Sequence, residues 1–173
     1  MELGQRICIF GGPGSGKSTL ARLLGQALGL PAVHLDSLYW NPGWVESAPE
    51  DMAPRVLAAL QEDSWVLDGN YRAYHLDVRL KRATAVIILD IPRLTRMWGI
   101  LCRTVSHAGR SRADLAPGCP ERFDWAFTKF AWHSPSRQMA AENQASAEQY
   151  GVPCVVLRSR RQVRQFLQSI EYP

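Results

Sequence analysis

The sequence predicts an α/β fold in which a parallel sheet of five strands carries helices on both faces. Three observations favour it. Strand-like and helix-like segments alternate along the whole chain. A glycine-rich loop joins the first strand to the first helix. The strand at residues 85–89 is apolar on both of its sides, which is typical of a central parallel strand. We expect residues 1–173 to form a single domain.

The loop at residues 11–19 reads G-G-P-G-S-G-K-S-T and satisfies every required position of the pattern G-x-x-x-x-G-K-[ST]. It lies between a β-favouring segment and a helix start, where backbone N–H groups and the helix dipole attract phosphate. The alternative, a turn that binds nothing, leaves this context unexplained. We expect Lys17 to reach the β- and γ-phosphates and Ser18 to ligate Mg²⁺. The residues predicted to bind ATP are Gly12, Pro13, Gly14, Ser15, Gly16, Lys17, Ser18 and Thr19.

The remaining elements follow from apolar periodicity and from turn residues. Expected helices cover residues 17–28, 49–61, 76–81, 91–107, 121–132 and 135–150, and a last helix starts at a capping box at residues 159–162. Expected strands cover residues 6–10, 32–35, 65–67, 85–89 and 154–157. Residues 108–120 are rich in turn formers and lack a periodic apolar face, so we predict a mobile lid there.

Three aspartates directly follow expected strands: Asp36, Asp68 and Asp90. Because parallel strands end at one edge of the sheet, these carboxylates should converge on one crevice, with Mg²⁺ as their counter-charge. For each aspartate alone, the alternative is an N-cap of the following helix. Either Asp68 or Asp90 could serve with Ser18 at the metal. We expect Asp36 to orient or deprotonate an acceptor hydroxyl.

Three large aromatic residues, Tyr39, Trp40 and Trp44, fall in a loop that contains Asn-Pro-Gly turn chemistry. They either pack over the core or form a platform for a ligand. Four arginines flank or occupy the predicted lid: Arg103, Arg110, Arg112 and Arg122. Such donors stabilise charge on a transferring phosphoryl group, and we favour Arg103 and Arg112 for this role. The alternative is surface arginines without a role.

The basic charge is concentrated in one half of the chain. Residues 1–78 contain 5 Lys and Arg against 9 Asp and Glu, whereas residues 79–173 contain 15 against 7. Such a half could bind nucleic acid or neutralise triphosphate, and the phosphate loop favours the second. The four cysteines lack zinc-site spacing. No apolar run is long enough for a membrane helix, and the N-terminus lacks a signal-peptide pattern, so we expect a cytoplasmic protein.

Five motifs together resemble adenylate-kinase-like P-loop kinases, and most closely the bacterial topology modulation proteins, or adenylate-kinase-related ATPases. They are residues 11–19, H-L-D-S-L-Y-W-N-P-G-W (34–44), L-D-G-N-Y-R (67–72), G-C-P-E-R (118–122) and L-R-S-R-R (157–161). The resemblance implies a P-loop NTPase of the three-layer nucleoside-monophosphate-kinase type, with strand order 2-3-1-4-5 and a closing lid.

The resemblance also implies roles for individual residues. Asp68 would lie near Mg²⁺ and Arg72 on the acceptor phosphate. Arg103 would be the catalytic arginine, and Arg158 and Arg160 would lie near the adenine of ATP. The segment after the second strand departs from the adenylate-kinase pattern, which argues against AMP as the acceptor.

The sequence therefore predicts an ATP- and Mg²⁺-dependent kinase for a small molecule, with nucleotides and nucleosides among the candidates. The alternative is a nucleotide-switched regulator that binds DNA and affects its topology.

Overall fold

The computed structural model describes residues 3–110 and 114–171. Its centre is a parallel sheet with the strand order β2-β5-β1-β6-β7. Counted along the chain without the hairpin strands β3 and β4, this order is the expected 2-3-1-4-5. The strands are β1 (Arg6–Gly11), β2 (Ala32–His34), β3 (Trp40–Asn41), β4 (Val45–Glu46), β5 (Trp65–Asp68), β6 (Ala85–Leu89) and β7 (Cys154–Leu157).

Helices cover both faces of the sheet, so the expected three-layer α/β fold is confirmed. They are α1 (Lys17–Leu28), α2 (Leu35–Tyr39), α3 (Pro49–Gln61), α4 (Leu76–Arg82), α5 (Arg93–Ser106), α6 (Trp125–His133), α7 (Ser136–Gln149) and α8 (Arg160–Glu171). One apolar cluster contains residues of α3, α4 and α7. The other contains residues of α1 and α8.

The two-residue period of the strands distributes their side chains between these clusters. In β1, Cys8 and Phe10 join the α3–α4–α7 cluster, while Ile7 and Ile9 join the α1–α8 cluster. All four are fully buried. The sheet is therefore apolar on both faces, and its polar chemistry is confined to the strand ends.

The segment after β2 differs from the expected strand and loop. The strand ends at His34, and Asp36 lies in the first turn of the short helix α2 instead of directly after a strand. The Ser37 hydroxyl donates to the His34 carbonyl at 2.7 Å, a local bond that competes with strand extension. The expected loop contains the antiparallel hairpin β3–β4, in which Trp40 is paired with Glu46.

Helix α6 begins at Trp125, four residues later than expected. Its N-cap is Asp124, whose Oδ1 accepts a hydrogen bond from the Phe127 N–H at 2.9 Å. Glu121 instead forms a parallel β-bridge with Ala108, which joins the two ends of the predicted lid segment. Helix α8 begins as predicted, with the Ser159 hydroxyl accepting from the Gln162 N–H at 3.2 Å.

Within residues 3–110 and 114–171, none of the helices is both long enough and apolar enough to cross a bilayer.

Candidate active site

The carboxyl ends of β1, β2 and β5 open into a cleft of about 1070 Å³. Its walls come from the phosphate loop, α2, the β3–β4 hairpin, the loop after β5, α5, α6 and the lid segment. A crevice at this edge of the strands is the ligand site that open α/β sheets provide. One cleft therefore joins the predicted nucleotide-binding residues to the predicted acceptor residues.

The phosphate loop is wound tightly in front of α1. Gly14 and Gly16 adopt positive φ angles of 74° and 93°, which other residues adopt only with strain. The Lys17 ammonium donates to the Gly12 carbonyl at 3.3 Å. Burial lowers the pKa of Lys17, while the negative charges of Asp36 and Asp68 act in the opposite direction. Lys17 therefore lies among groups that balance its charge inside the cleft.

Two arginines bind the carbonyl groups of the loop. Arg96 donates to the carbonyl of Pro13 at 3.1 Å, and Arg160 donates to those of Gly14 and Ser15 at 3.0 and 2.8 Å. In a trans peptide the C=O and the following N–H point in opposite directions. Because three successive carbonyls are bound by these two arginines, the adjoining N–H groups point away from the two guanidinium groups.

Arg158 and Arg160 differ in their placement. The resemblance puts both near the adenine, but the guanidinium of Arg160 contacts the phosphate loop. Arg158 is exposed and lies 3.7 Å from Asp90. Asp90 is therefore directed to β7 and its following turn, and it is not among the cleft-lining residues.

Ser18 and Asp68 are brought together as the sequence suggested. The Ser18 hydroxyl donates to Oδ1 of Asp68 at 3.2 Å, and Asp68 is only 1% exposed. Its other oxygen, Oδ2, is hydrogen-bonded to Nδ1 of His34, which also lines the cleft. His34 was not identified from the sequence, although it stands two residues before Asp36.

These oxygen donors fit Mg²⁺. A hydroxyl and a carboxylate beside the phosphate loop are hard ligands of the kind that Mg²⁺ shares with nucleotide phosphates and water. Among the residues that the structure describes, no group of three or more His, Cys, Asp or Glu side chains could hold a metal by itself. The arrangement is thus suited to a metal that arrives with the nucleotide.

Asp36 faces the cleft from α2 and accepts a hydrogen bond from the Tyr71 hydroxyl at 2.7 Å. Burial, followed by the charge of Asp36, raises the pKa of Tyr71, so that the phenol remains a donor. Trp40 and Trp44 line the same wall, with ring centroids 5.5 Å apart. Tyr39 lies beside them, and its ring is 5.0 Å from those of Trp40 and Tyr71.

Arg72 is not brought to the cleft. It donates to Oδ1 of Asn143 at 2.6 Å and to the Ser146 hydroxyl at 3.3 Å, both on α7. The loop after β5 is held instead by Arg79, which is fully buried and donates to the carbonyls of residues 69, 70 and 71 at 2.9–3.0 Å. Sequence reasoning missed Arg79, because nothing in the local pattern separates it from other helix arginines.

Arg103 lines the cleft from α5. Its Nε donates to Oε1 of the buried Glu121 at 3.1 Å, and its guanidinium lies 5.4 Å from the centre of the Phe127 ring. Arg122 also lines the cleft. Arg112 lies outside the described residues. Arg103 is thus positioned by the base of the lid, through a glutamate that sequence reasoning did not single out.

The end of the lid is seated on the β3–β4 hairpin. The Gly43 N–H donates to the Gly118 carbonyl at 2.8 Å, and Nε1 of Trp44 donates to the Pro120 carbonyl at 3.1 Å. Gly118 has a φ of 86°, and a Cβ added there would lie 2.9 Å from that of Pro42. The two segments therefore contact each other through backbone as well as through side chains.

No model of a known protein family matches the chain, and no curated protein matches it either. Solved structures do resemble it. The shikimate kinase from Acinetobacter baumannii in complex with shikimate is 14% identical, with a TM-score of 0.56, covering 96% of this chain and 90% of that one.

A gluconokinase from Sinorhizobium meliloti is 13% identical, with a TM-score of 0.56, covering 98% of this chain and 91% of that one. The shikimate kinase from Aquifex aeolicus is 15% identical, with a TM-score of 0.51, covering 96% of each chain. At these identities the likeness is one of fold, and the chain shares the α/β fold of these kinases.

Proposed function

We propose that this protein is an ATP- and Mg²⁺-dependent phosphotransferase that acts on the hydroxyl group of a small molecule. The observation that carries the proposal is the single cleft in which Lys17 and the phosphate loop face Asp36 and the aromatic hairpin. The similarity in fold to kinases named for shikimate and for gluconate supports a small acceptor.

Each residue has a role that its placement supports. Lys17 and Arg103 stabilise the charge of the transferring phosphoryl group. Ser18 and Asp68 would hold Mg²⁺, which supplies charge neutralisation on the phosphates when it is bound. Asp36 receives the proton of the acceptor hydroxyl, and the Tyr71 hydroxyl fixes the orientation of that carboxylate.

The reaction balances without any further reactant. The acceptor oxygen forms a bond to the γ-phosphorus as the bond between that phosphorus and the β,γ-bridging oxygen breaks. Asp36 takes the proton that the acceptor loses, and ADP leaves with the former bridging oxygen. The seated lid would exclude water, which otherwise competes as the acceptor.

The DNA-binding alternative gains no support from the described residues. The basic half of the chain directs Arg79, Arg96 and Arg160 to carbonyls inside the fold, while Arg103 and Arg158 contact carboxylates. The narrower resemblance to topology modulation proteins and the cytoplasmic location remain predictions from the sequence.

The test follows the γ-phosphate of labelled ATP in the presence of a panel of nucleosides, nucleoside monophosphates and hydroxylated metabolites. We expect label on one class of acceptor, with loss of transfer in Lys17→Ala and in Asp36→Asn. Circular dichroism would establish that both variants remain folded. Label that reaches only water, or unchanged transfer by Lys17→Ala, would overturn the proposal.

A further inference from the structure

Helix α5 exposes most of its large apolar side chains to solvent. Four of them are between 48% and 73% exposed: Leu94, Trp98, Leu101 and Val105. At 3.6 residues per turn, their spacing of four, three and four residues places them within about 60° on one side of the helix. The buried residues of this helix are Arg96 and Ile100, which lie on the other side. We call the four exposed residues the α5 stripe.

The α5 stripe faces away from the cleft. Gly99, Ile100, Arg103 and Thr104 line the cleft from α5, and the same helical spacing centres them on the side opposite the stripe. A ligand in the cleft therefore leaves the stripe in water. Three residues, the length of the undescribed segment 111–113, span at most about 10 Å, whereas the stripe extends about 16 Å along the helix.

The spacing of the stripe fits a second copy of the same helix. Steps of four, three and four residues are those of the a and d positions through which helices pair. The steps are the same when they are counted from either end of α5. Two antiparallel copies can therefore meet about a two-fold axis, with Leu94 of one opposite Val105 of the other and Trp98 opposite Leu101. Such a contact is isologous, because both copies use the same surface.

The arginines of α5 are directed away from the stripe. Arg93 stacks on the ring of Trp132 at 5.3 Å, Arg96 donates to a carbonyl of the phosphate loop at 3.1 Å, and Arg103 donates to Glu121 at 3.1 Å. A helix that binds a membrane surface instead presents lysine and arginine to the lipid beside its apolar face. A second apolar stripe is the better complement, since it meets this one without like-charge repulsion between the stripe residues.

The exposed area is of the size that the centre of a dimer contact requires. The exposed fractions of the four side chains leave roughly 400 Å² of apolar surface in water. That is about half of the ~800 Å² that each partner buries in a standard interface. An interface has an apolar core and a more polar rim, and Cys102 and Ser106 are exposed beside the stripe. Trp98 supplies the aromatic anchor that is typical of such a core.

We propose that this protein forms a homodimer in which two copies of α5 pack antiparallel through the α5 stripe. The inference does not depend on the proposed phosphotransferase activity. It gives the exposed apolar side of α5 a partner, and it places the contact on the helix whose other side carries Arg103 into the cleft.

Sedimentation equilibrium of the purified full chain, from submicromolar to high micromolar concentration, tests the dimer. We expect twice the mass of one chain. Trp98→Glu should raise the dimer dissociation constant roughly 1,000-fold, because an aromatic anchor is lost from both copies. Trp125→Glu is the matched control, because Trp125 is 71% exposed on α6 and does not belong to the stripe. It should leave the dissociation constant unchanged, and circular dichroism would establish that both variants remain folded.

Three outcomes of these experiments would overturn the inference. One is a monomer at all concentrations, including a monomer that binds vesicles of anionic phospholipid through the stripe. The second is a dimer that Trp98→Glu does not weaken. The third is equal weakening by Trp98→Glu and Trp125→Glu, which would place the contact elsewhere.

Cys102 tests the antiparallel register. It is exposed, whereas Cys8 and Cys119 are buried and Cys154 is partly buried. In the proposed pairing the two copies of Cys102 lie on the same flank of the contact, with their Cα atoms roughly 12 Å apart. A short bis-maleimide should therefore join two chains covalently, and Cys102→Ser should prevent it. A dimer that the reagent does not join through Cys102 would overturn the proposed pairing of α5.

Discussion

The contact of Arg160 with the phosphate loop leads to a prediction that differs from the one expected if Arg160 contacted adenine. We consider Arg160→Gln, which keeps a hydrogen-bonding side chain of shorter reach and removes the charge. The two hydrogen bonds to Gly14 and Ser15, at 3.0 and 2.8 Å, would be lost. The neighbouring Arg161 is exposed on the same helix turn, so Arg161→Gln is the matched control.

The magnitude follows from these two bonds. A hydrogen bond to a charged group contributes about 1.5–3 kcal/mol, and the half-buried position of Arg160 calls for a value at or below the lower limit. Two bonds of about 1 kcal/mol each give ~2 kcal/mol. In Arg160→Gln the ligand-free loop relaxes, and binding must restore its conformation at this cost. Triphosphate binding should therefore weaken roughly 30-fold.

Isothermal titration calorimetry with ATP and with inorganic tripolyphosphate distinguishes a role of Arg160 at the phosphate loop from a role at the adenine base. Because Arg160 acts through the loop, its loss should weaken both ligands by the same factor, and Arg161→Gln should weaken neither. If ATP binding weakened while tripolyphosphate binding did not, Arg160 would be acting on the base and the reasoning from the loop carbonyls would be refuted.

Three further predictions test other contacts. Arg79→Met leaves the carbonyls after β5 unpaired and should lower the free energy of unfolding by about 3 kcal/mol in urea titrations; an unchanged midpoint would contradict this. Gly118→Ala should loosen the seated lid and accelerate its proteolysis more than Gly109→Ala, because both glycines have positive φ but only Gly118 would contact Pro42; equal rates would refute that contact. For His34, burial alone lowers the pKa, but the hydrogen bond and charge of its carboxylate partner outweigh it and raise the pKa above 6.5. The resulting stabilisation is complete below pH 6.5 and is lost as the pH rises through the raised value. In nucleotide-free protein the unfolding free energy should therefore fall over that range, and His34→Gln should remove this dependence.

The fold could be predicted because its signals are local. Apolar alternation, turn residues and the glycine-rich loop specify each element from its own sequence, and parallel topology then brings the strand ends to one edge. The phosphate loop and the pairing of Ser18 with Asp68 follow from that edge. The short helix α2 was missed because five residues carry too little periodicity to identify it.

The arginine side chains that hold the phosphate loop in place could not be predicted, because their hydrogen-bond partners are distant in the chain. Arg160 contacts Gly14 across 146 residues, and Arg96 contacts Pro13 across 83. Arg72, in contrast, was predicted to lie in the site, but a distant partner holds it elsewhere. Its offset from Asp68 matches the adenylate-kinase pattern, but Asn143 on α7 binds its guanidinium and turns it away from the cleft. Spacing within a motif does not reveal which distant side chain competes for a charge.

In the proposed kinase, the seating of the lid segment on the hairpin would limit the hydrolysis of ATP by water. Backbone and indole hydrogen bonds join residues 118–120 to the segment that carries Trp40 and Trp44. A ligand that holds the hairpin in this position also favours the seated lid, and by thermodynamic reciprocity the seated lid tightens binding of that ligand by the same factor. In the proposed kinase, coupling of this kind would make water exclusion depend on the acceptor, so that the presence of the molecule to be phosphorylated would suppress hydrolysis of ATP.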